Sequence, residues 1–185
     1  MPDPAPPSPM TEIARLVEEV TKSGKGLAED LLMKLVKEIA KLFSVKTDEI
    51  AVLQLSPDAG VLHFVYPMKL RVIGTLPMTA ANSLAVRTAR DKRPEMINNF
   101  PAHKHPTIFE AVNLDESGQE RQPIQKIMSA PLLLESKSVG VIQISRKGKA
   151  PATAGADFSI RDLTTLMTTA SMLAKCFKPL VKSNE

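Results

Sequence analysis

Residues 125–148 read QKIMSAPLLLESKSVGVIQISRKG, and this stretch decides the fold. Its first arm, residues 127–134, is apolar with one proline, and its second, residues 139–145, alternates apolar side chains with small or polar ones, a pattern typical of β-strands. The four polar residues between the arms, Glu135-Ser136-Lys137-Ser138, suit a tight reversal of the chain. The stretch predicts a hairpin at the centre of a sheet, and its apolar arms need covering layers.

The composition of the chain indicates a globular protein without membrane or nucleic-acid partners. Its 185 residues are 43% hydrophobic, which suits one domain with appended ends, and no apolar run approaches the roughly 20 residues of a membrane helix. The N-terminal MPDPAPPSPM lacks the pattern of a signal peptide, and the single Cys fits a reducing compartment. With no Trp and one Tyr, aromatic stacking on nucleic acid is not expected. We expect a cytoplasmic location.

Helical and strand patterns alternate around the hairpin. Apolar residues recur at helical spacing in residues 10–20 and 27–43, and again in residues 160–177 after an S-x-x-D start at Ser159. The remaining pattern predicts strands at 49–55, 61–66 and 95–98, a short helix near 80–89, and an irregular region at 99–121.

Three stretches carry a resemblance to a known family. SLAVRTARDKRPEMINNF (residues 83–100), SAPLLLESKSVGVIQISRK (129–147) and DFSIRDLTTLMTTASMLAKCF (157–177) occur in an order that resembles the GAF domain, a small-molecule sensor module related to PAS domains. The resemblance implies an α/β (α+β) fold with a central six-stranded antiparallel sheet. It implies terminal helices on one face of the sheet, and short helices and loops roofing a pocket on the other.

The same reading divides the chain into four segments. Residues 1–9 are a Pro-rich disordered tail, 10–26 an N-terminal helix and a break, 27–178 the GAF domain, and 179–185 a C-terminal tail.

The resemblance places several polar residues near the implied pocket. Asn98-Asn99-Phe100 occupies a position where family members often have Asn-Asp leading into the pocket, and its amides can bind a ligand or satisfy backbone groups. His103 and His105 form an H-x-H pair in the loop above, which can meet solvent or an anionic ligand; no completing metal ligand stands at a recognisable spacing, so we predict no metal site. Ser129 completes the predicted ligand-binding set.

A bracing ion pair is a further implication of the resemblance. Cyclic-nucleotide-binding GAF domains carry an N-K-F-D-E signature, of which Lys147, Phe158 and Asp162 are kept, while Arg146 and Leu163 replace the Asn and the Glu. The resemblance therefore predicts a Lys147 to Asp162 ion pair and argues against a cyclic nucleotide. In the alternative, Asp162 caps its own helix.

Two activities of GAF proteins, methionine sulfoxide reduction and bilin attachment, depend on cysteines near the pocket. The only cysteine here, Cys176, stands late in the closing helix, where a packing or interface role is expected. We therefore predict no catalytic residues and no enzymatic activity.

The predicted function is a stand-alone, non-catalytic small-molecule sensor that signals through its terminal helices at a homodimer interface. A separate output protein is a candidate receiver of that signal. Neither ligand nor cofactor is identified by the sequence. The apolar helix sides exceed what one sheet face can absorb, which predicts dimer contacts at Leu16, Val20, Leu31, Leu35, Leu166 and Leu173. The alternative is a ligand-free scaffold for protein interaction, with a collapsed pocket plugged by Met68, Met78, Met96 and Met128.

Overall fold

A six-stranded antiparallel sheet organises the part of the chain that this computed structural model describes, residues 5–56, 58–102 and 122–177. Its strands lie in the order β3-β2-β1-β6-β5-β4. They are β1 (Ile50–Ser56), β2 (Val61–Tyr66), β3 (Thr75–Pro77), β4 (Glu95–Ile97), β5 (Ile124–Leu134) and β6 (Lys137–Lys147). The predicted fold class is confirmed, although β3 lies in a segment for which the sequence pattern predicted no strand.

The central hairpin is longer and tighter than its pattern predicts. β5 and β6 have 11 residues each, and their pairing extends to Leu134 opposite Lys137. Only Glu135 and Ser136 form the turn, with φ of 49° and 64°. Two successive positive φ values give the turn a twist that matches the flanking strands, so two residues suffice where four were expected.

Three helices cover one face of the sheet, which we call the helix face. α1 (Pro9–Ser23) packs against α2 (Glu29–Phe43) and against the C-terminal helix, Ile160–Ala174, while that last helix packs on β5 and β6. A shorter helix, α3 (Leu84–Asp91), packs against the same two strands from the opposite side. We call that side the α3 face and the C-terminal helix α4.

Each sheet face carries its own apolar cluster because successive strand residues point to opposite sides. In β5, Met128 and Ala130 belong to the cluster on the helix face, whereas Ile127 belongs to the cluster on the α3 face. The sheet is therefore buried on both sides, and β5 places neighbouring residues in two separate environments.

The helix starts follow capping chemistry. Ser8 caps α1 by accepting a hydrogen bond from the Thr11 backbone N–H, and Pro9 occupies the first turn, where its missing N–H costs nothing. α1 thus begins one residue before the predicted boundary at Met10. Ser159 and Asp162 form the predicted capping box of α4, since each side chain accepts from the other residue's backbone N–H.

The residues predicted for a dimer interface lie inside the chain, and this is a correction. Leu16, Val20, Leu35, Leu166 and Leu173 are buried in the helix-face cluster, and Leu31 is partly buried against it. The helical pattern correctly predicted an apolar side on each helix. It was wrong to predict that part of this apolar area stays uncovered in one chain, because α1 packs on α2 and α4. The five buried side chains are not available to a partner, and Leu31 remains a predicted contact.

Candidate functional site

The α3 face presents an apolar surface to the helix above it. Ser83 caps α3 by accepting a hydrogen bond from the Val86 backbone N–H, which sets where the helix begins. Leu84, Val86 and Ala89 then pack toward the sheet. The sheet and its flanking segments complete the cluster with Leu53, Leu62, Phe64, Leu70, Ile97, Phe100, Ile127 and Val141.

A row of polar side chains interrupts this apolar surface. Thr88 of α3, Ser129 of β5 and Gln143 of β6 are only 1%, 0% and 3% exposed. The Thr88 and Ser129 hydroxyl oxygens are 2.8 Å apart, and Gln143 Nε2 donates to Ser129 Oγ at 3.2 Å. We call these three residues the polar row.

The direction of the hydrogen bonds in the polar row follows from its ends. Thr88 Oγ1 donates to the Leu84 carbonyl oxygen at 2.8 Å, so its single proton is already used. Ser129 must then donate to Thr88 while it accepts from Gln143. The bond to Ser129 occupies one N–H of the Gln143 carboxamide, which has a second N–H and a carbonyl oxygen besides.

The residues predicted to bind ligand separate into distinct environments. Asn98 Nδ2 donates to the Phe158 carbonyl at 3.0 Å, and Asn98 Oδ1 accepts from the Phe158 N–H at 2.8 Å, so its amide fastens the segment before α4. Asn99 is exposed, and Phe100 is buried in the α3-face cluster. Ser129 joins the polar row, while His103 and His105 lie outside the described residues.

The predicted Lys147 to Asp162 ion pair is corrected by the structure, which gives each residue another partner. Lys147 Nζ donates to the Asp48 carbonyl oxygen at 2.8 Å and lies 4.0 Å from the Asp48 carboxylate. Asp162 Oδ2 accepts from the Ser159 backbone N–H at 2.6 Å. β6 pairs with β1, which brings Lys147 beside the turn before that strand; the alternative in which Asp162 caps its helix is the one observed.

Cys176 lies on the helix face, away from the polar row. It is buried in the helix-face cluster, and this burial raises the pKa of its thiol to about 11. A thiol of that pKa is almost entirely protonated near pH 7, and the thiolate is the reactive form. Its environment is that of a packing residue.

Solved structures resemble this architecture over nearly its whole length. The GAF domain of the Acinetobacter phosphoenolpyruvate-protein phosphotransferase aligns with a TM-score of 0.65 and 17% identity, covering 91% of each chain. The corresponding domain from Coxiella burnetii aligns with a TM-score of 0.60 and 16% identity, covering 89% of this chain and 90% of the other. The chain has the GAF domain fold.

The similarity to solved structures establishes the fold of this chain but not its function. The free methionine-R-sulfoxide reductase of Neisseria meningitidis also aligns, with a TM-score of 0.53 and 14% identity over 94% of this chain and 92% of the other. GAF domains of two phosphotransferases and a free methionine-R-sulfoxide reductase therefore resemble this chain in fold. No family model and no curated protein matches the sequence.

Two members of the polar row were missed by the sequence reading. Gln143 stands in the apolar strand segment VIQIS, where its long polar side chain at an inward position was a usable signal. Thr88 gave a weaker signal, because threonine is common on helices and its inward direction depends on how α3 docks.

The described residues were also compared with the requirements of a metal site and of a membrane-spanning helix. Within them, no three His, Cys, Asp or Glu side chains cluster as metal ligands would. No helix among them combines the length and apolarity required to cross a membrane.

Proposed function

We propose that this GAF domain is a non-catalytic small-molecule sensor that binds its ligand on the α3 face. The polar row is the observation that carries the proposal. Ligand sites are mostly apolar with a few placed polar groups, and the row puts the Gln143 carboxamide among buried apolar side chains. The ligand this arrangement suits is small, largely apolar, and able to both donate to and accept from an amide.

The non-catalytic part of the proposal is supported by the position of Cys176. A thiol-based reduction needs an accessible thiolate with a resolving partner. Cys176 is the only cysteine in the sequence, is buried, has a raised pKa, and belongs to the helix-face cluster.

The scaffold alternative depends on methionines filling the pocket. Met128 is in the helix-face cluster and Met96 packs against it, so neither occupies the α3 face. Met78 packs against the α3-face cluster, and Met68 is half-buried. At least two of the four methionines therefore do not fill the α3 face, and this favours the sensor over the scaffold.

A route from ligand to helix is short in this fold. Ser129 in the polar row is flanked in β5 by Met128 and Ala130, which contribute to the helix-face cluster where α4 packs. A ligand that binds one arrangement of β5 more tightly shifts the population toward it, and α4 follows because its buried side packs against that strand.

We further propose that the output surface is the outer side of α4, paired with a second copy of the chain. Ile160 and Met167, two turns apart, are 71% and 46% exposed. Thr164, Thr168 and Ser171 are exposed on the same helix. Large exposed apolar side chains among small uncharged ones suit a helix interface.

The dimer proposal is tested by sedimentation of Met167→Glu beside wild-type protein. We expect wild type to sediment as a dimer and the variant as a monomer. The matched control is Val72→Lys, which also charges an exposed apolar residue, here 89% exposed, but lies outside α4. A monomeric wild type, or a Met167→Glu dimer, would contradict the proposal.

The ligand proposal is tested by thermal unfolding with a panel of small amides, lactams and apolar amino acids, which match the stated chemistry. A ligand at 100 times its Kd stabilises the native state by about 2.7 kcal/mol, which raises Tm by roughly 5–10 °C for a domain of this size. We expect one class to do so for wild type and not for Gln143→Leu.

The control for that experiment is Gln54→Leu, the same substitution in β1, whose side chain lines a cleft on the helix face. It should keep the ligand-induced shift. The sensor is rejected if no class raises Tm, or if Gln143→Leu responds as wild type does.

A further inference from the structure

A concave site lies on the helix face, and no role has yet been assigned to it. It is a cleft of about 700 Å³ at the end of α1, bounded by the connection to α2, by β1 and β2, and by the residues after α4. Its described lining is Val20, Thr21, Gly24, Lys25, Gly26, Leu27, Gln54, His63, Phe64, Val65, Arg71, Lys175, Cys176 and Phe177. The volume is that of an ordinary ligand pocket.

The cleft is separate from the polar row. Val65 packs against the helix-face cluster, and His63 stands two residues before it in β2, hence on the same side of the sheet. The polar row lies under α3 on the other side. A molecule in the cleft touches none of the three residues that carry the proposed function.

The lining is positively charged. Lys25, Arg71 and Lys175 contribute cations, and none of the described lining residues is acidic. Outside the lining, Glu29 accepts a hydrogen bond from Arg71 at 2.9 Å. α1 and α4 both end beside the cleft, and each helix C-terminus adds roughly half a negative charge. Three cations, reduced by Glu29 and by these two ends, leave about one positive charge.

The remaining lining suits an apolar body. Val20, Leu27 and Phe177 supply aliphatic and aromatic surface beside the cationic rim. His63 adds a hydrogen-bonding ring without a charge near pH 7, because burial, and secondarily Arg71, lower its pKa below 6.5.

We propose that this cleft binds a small apolar acid through its single carboxylate. The net charge of the cleft matches one anionic group, and the apolar walls match a hydrocarbon or aromatic remainder. A dianionic phosphate fits less well, because the described lining residues do not form a cluster of backbone donors comparable with a phosphate cradle.

Cys176 makes the cleft directly observable, because the chain's only cysteine lines it. The experiment measures the rate at which iodoacetamide, an uncharged reagent, alkylates Cys176 with and without decanoate below micelle-forming concentrations. It is run at pH 9, where a thiol with a pKa of about 11 is about 1% thiolate. At ten times Kd only about one molecule in eleven is free, so we expect the rate to fall about tenfold. Decan-1-ol, with the same body and no charge, should slow it less than about twofold if the carboxylate supplies the recognition.

Charge reversal tests whether the cationic rim causes the protection. Lys25→Glu with Lys175→Glu, both in the lining, should abolish the protection by decanoate. The control is Lys34→Glu with Lys37→Glu on α2, which has the same change in net charge but lies outside the lining, and it should retain the protection. Absence of protection in wild type, equal protection by decan-1-ol, or protection that survives in the first pair would overturn the proposal. None of these outcomes depends on the response of Gln143→Leu.

Discussion

Replacing Ser129 by alanine tests whether the three side chains of the polar row are hydrogen-bonded to one another away from water. The substitution removes a hydroxyl that accepts from Gln143 Nε2 at 3.2 Å and lies 2.8 Å from Thr88 Oγ1. A buried N–H of Gln143 then lacks an acceptor, and Thr88 Oγ1 lacks its donor. An orphaned buried polar group costs about 1–3 kcal/mol, so we expect Ser129→Ala to lower the free energy of unfolding by about 2 kcal/mol.

Adding a second substitution, Gln143→Leu, shows whether the destabilisation comes from an unpaired buried N–H or from the loss of the hydrogen bond itself. In Ser129→Ala with Gln143→Leu, the stranded N–H is gone and an apolar side chain of similar length stands in its place. Exchanging both partners for apolar groups is nearly neutral, so the double variant should be more stable than the sum of the single variants by about 1 kcal/mol or more.

The assay is urea unfolding followed by far-ultraviolet circular dichroism, since the sequence contains no Trp. Thr79→Ala, which removes an exposed hydroxyl between β3 and α3, is the control and should change stability by no more than about 0.5 kcal/mol. The hydrogen-bonded polar row would be refuted if Ser129→Ala lowered the free energy of unfolding by less than about 0.5 kcal/mol. Strict additivity of the two substitutions in the double variant would also refute it.

Two further predictions concern the sheet. Gly140→Ala places a Cβ 2.2 Å from the Leu53 carbonyl oxygen, so β1 and β6 must separate, and we expect a loss of about 3 kcal/mol or more by urea unfolding. At Gly24, φ is 64° and an added Cβ meets nothing within 4 Å. Gly24→Ala should therefore lower the free energy of unfolding by only about 1 kcal/mol, through backbone strain alone. Equal losses in the two variants would contradict the packing argument. For His63, burial and Arg71 lower the pKa from 6.5, so the unfolded chain takes up the proton first and stability is lost as pH falls below about 6.5. The stability of wild type relative to His63→Gln should therefore decrease from pH 7.5 to pH 5.5, and a constant difference would show that His63 is unperturbed.

The elements that the sequence predicted well are those encoded by local pattern. The two arms of the hairpin, the helical spacing from residue 160 onward and the Ser159 cap depend on residues close in sequence. The structure has all three, although the helix ends at Ala174 and not at the predicted residue 177. The two-residue turn was harder to foresee, because Glu135 and Ser136 are not residues that usually adopt positive φ.

The features that escaped prediction depend on contacts between distant residues. Lys147 meets Asp48 because β6 pairs with β1, a relation about a hundred residues long that no local motif records. Periodicity also located the apolar sides of α1, α2 and α4 without saying that these sides bury one another. The polar row needs α3, β5 and β6 docked together before Thr88, Ser129 and Gln143 can be recognised as one unit.

The central claim, that a small molecule occupies the α3 face beside the polar row, is tested most directly by native mass spectrometry. Wild-type protein and Gln143→Leu would be purified without denaturation from the natural host or a matched lysate, and each would then be denatured to identify any released compound. The account predicts a stoichiometric small molecule on wild type and a reduced share on the variant. Bare protein masses for both, or equal occupancy of both, would contradict it.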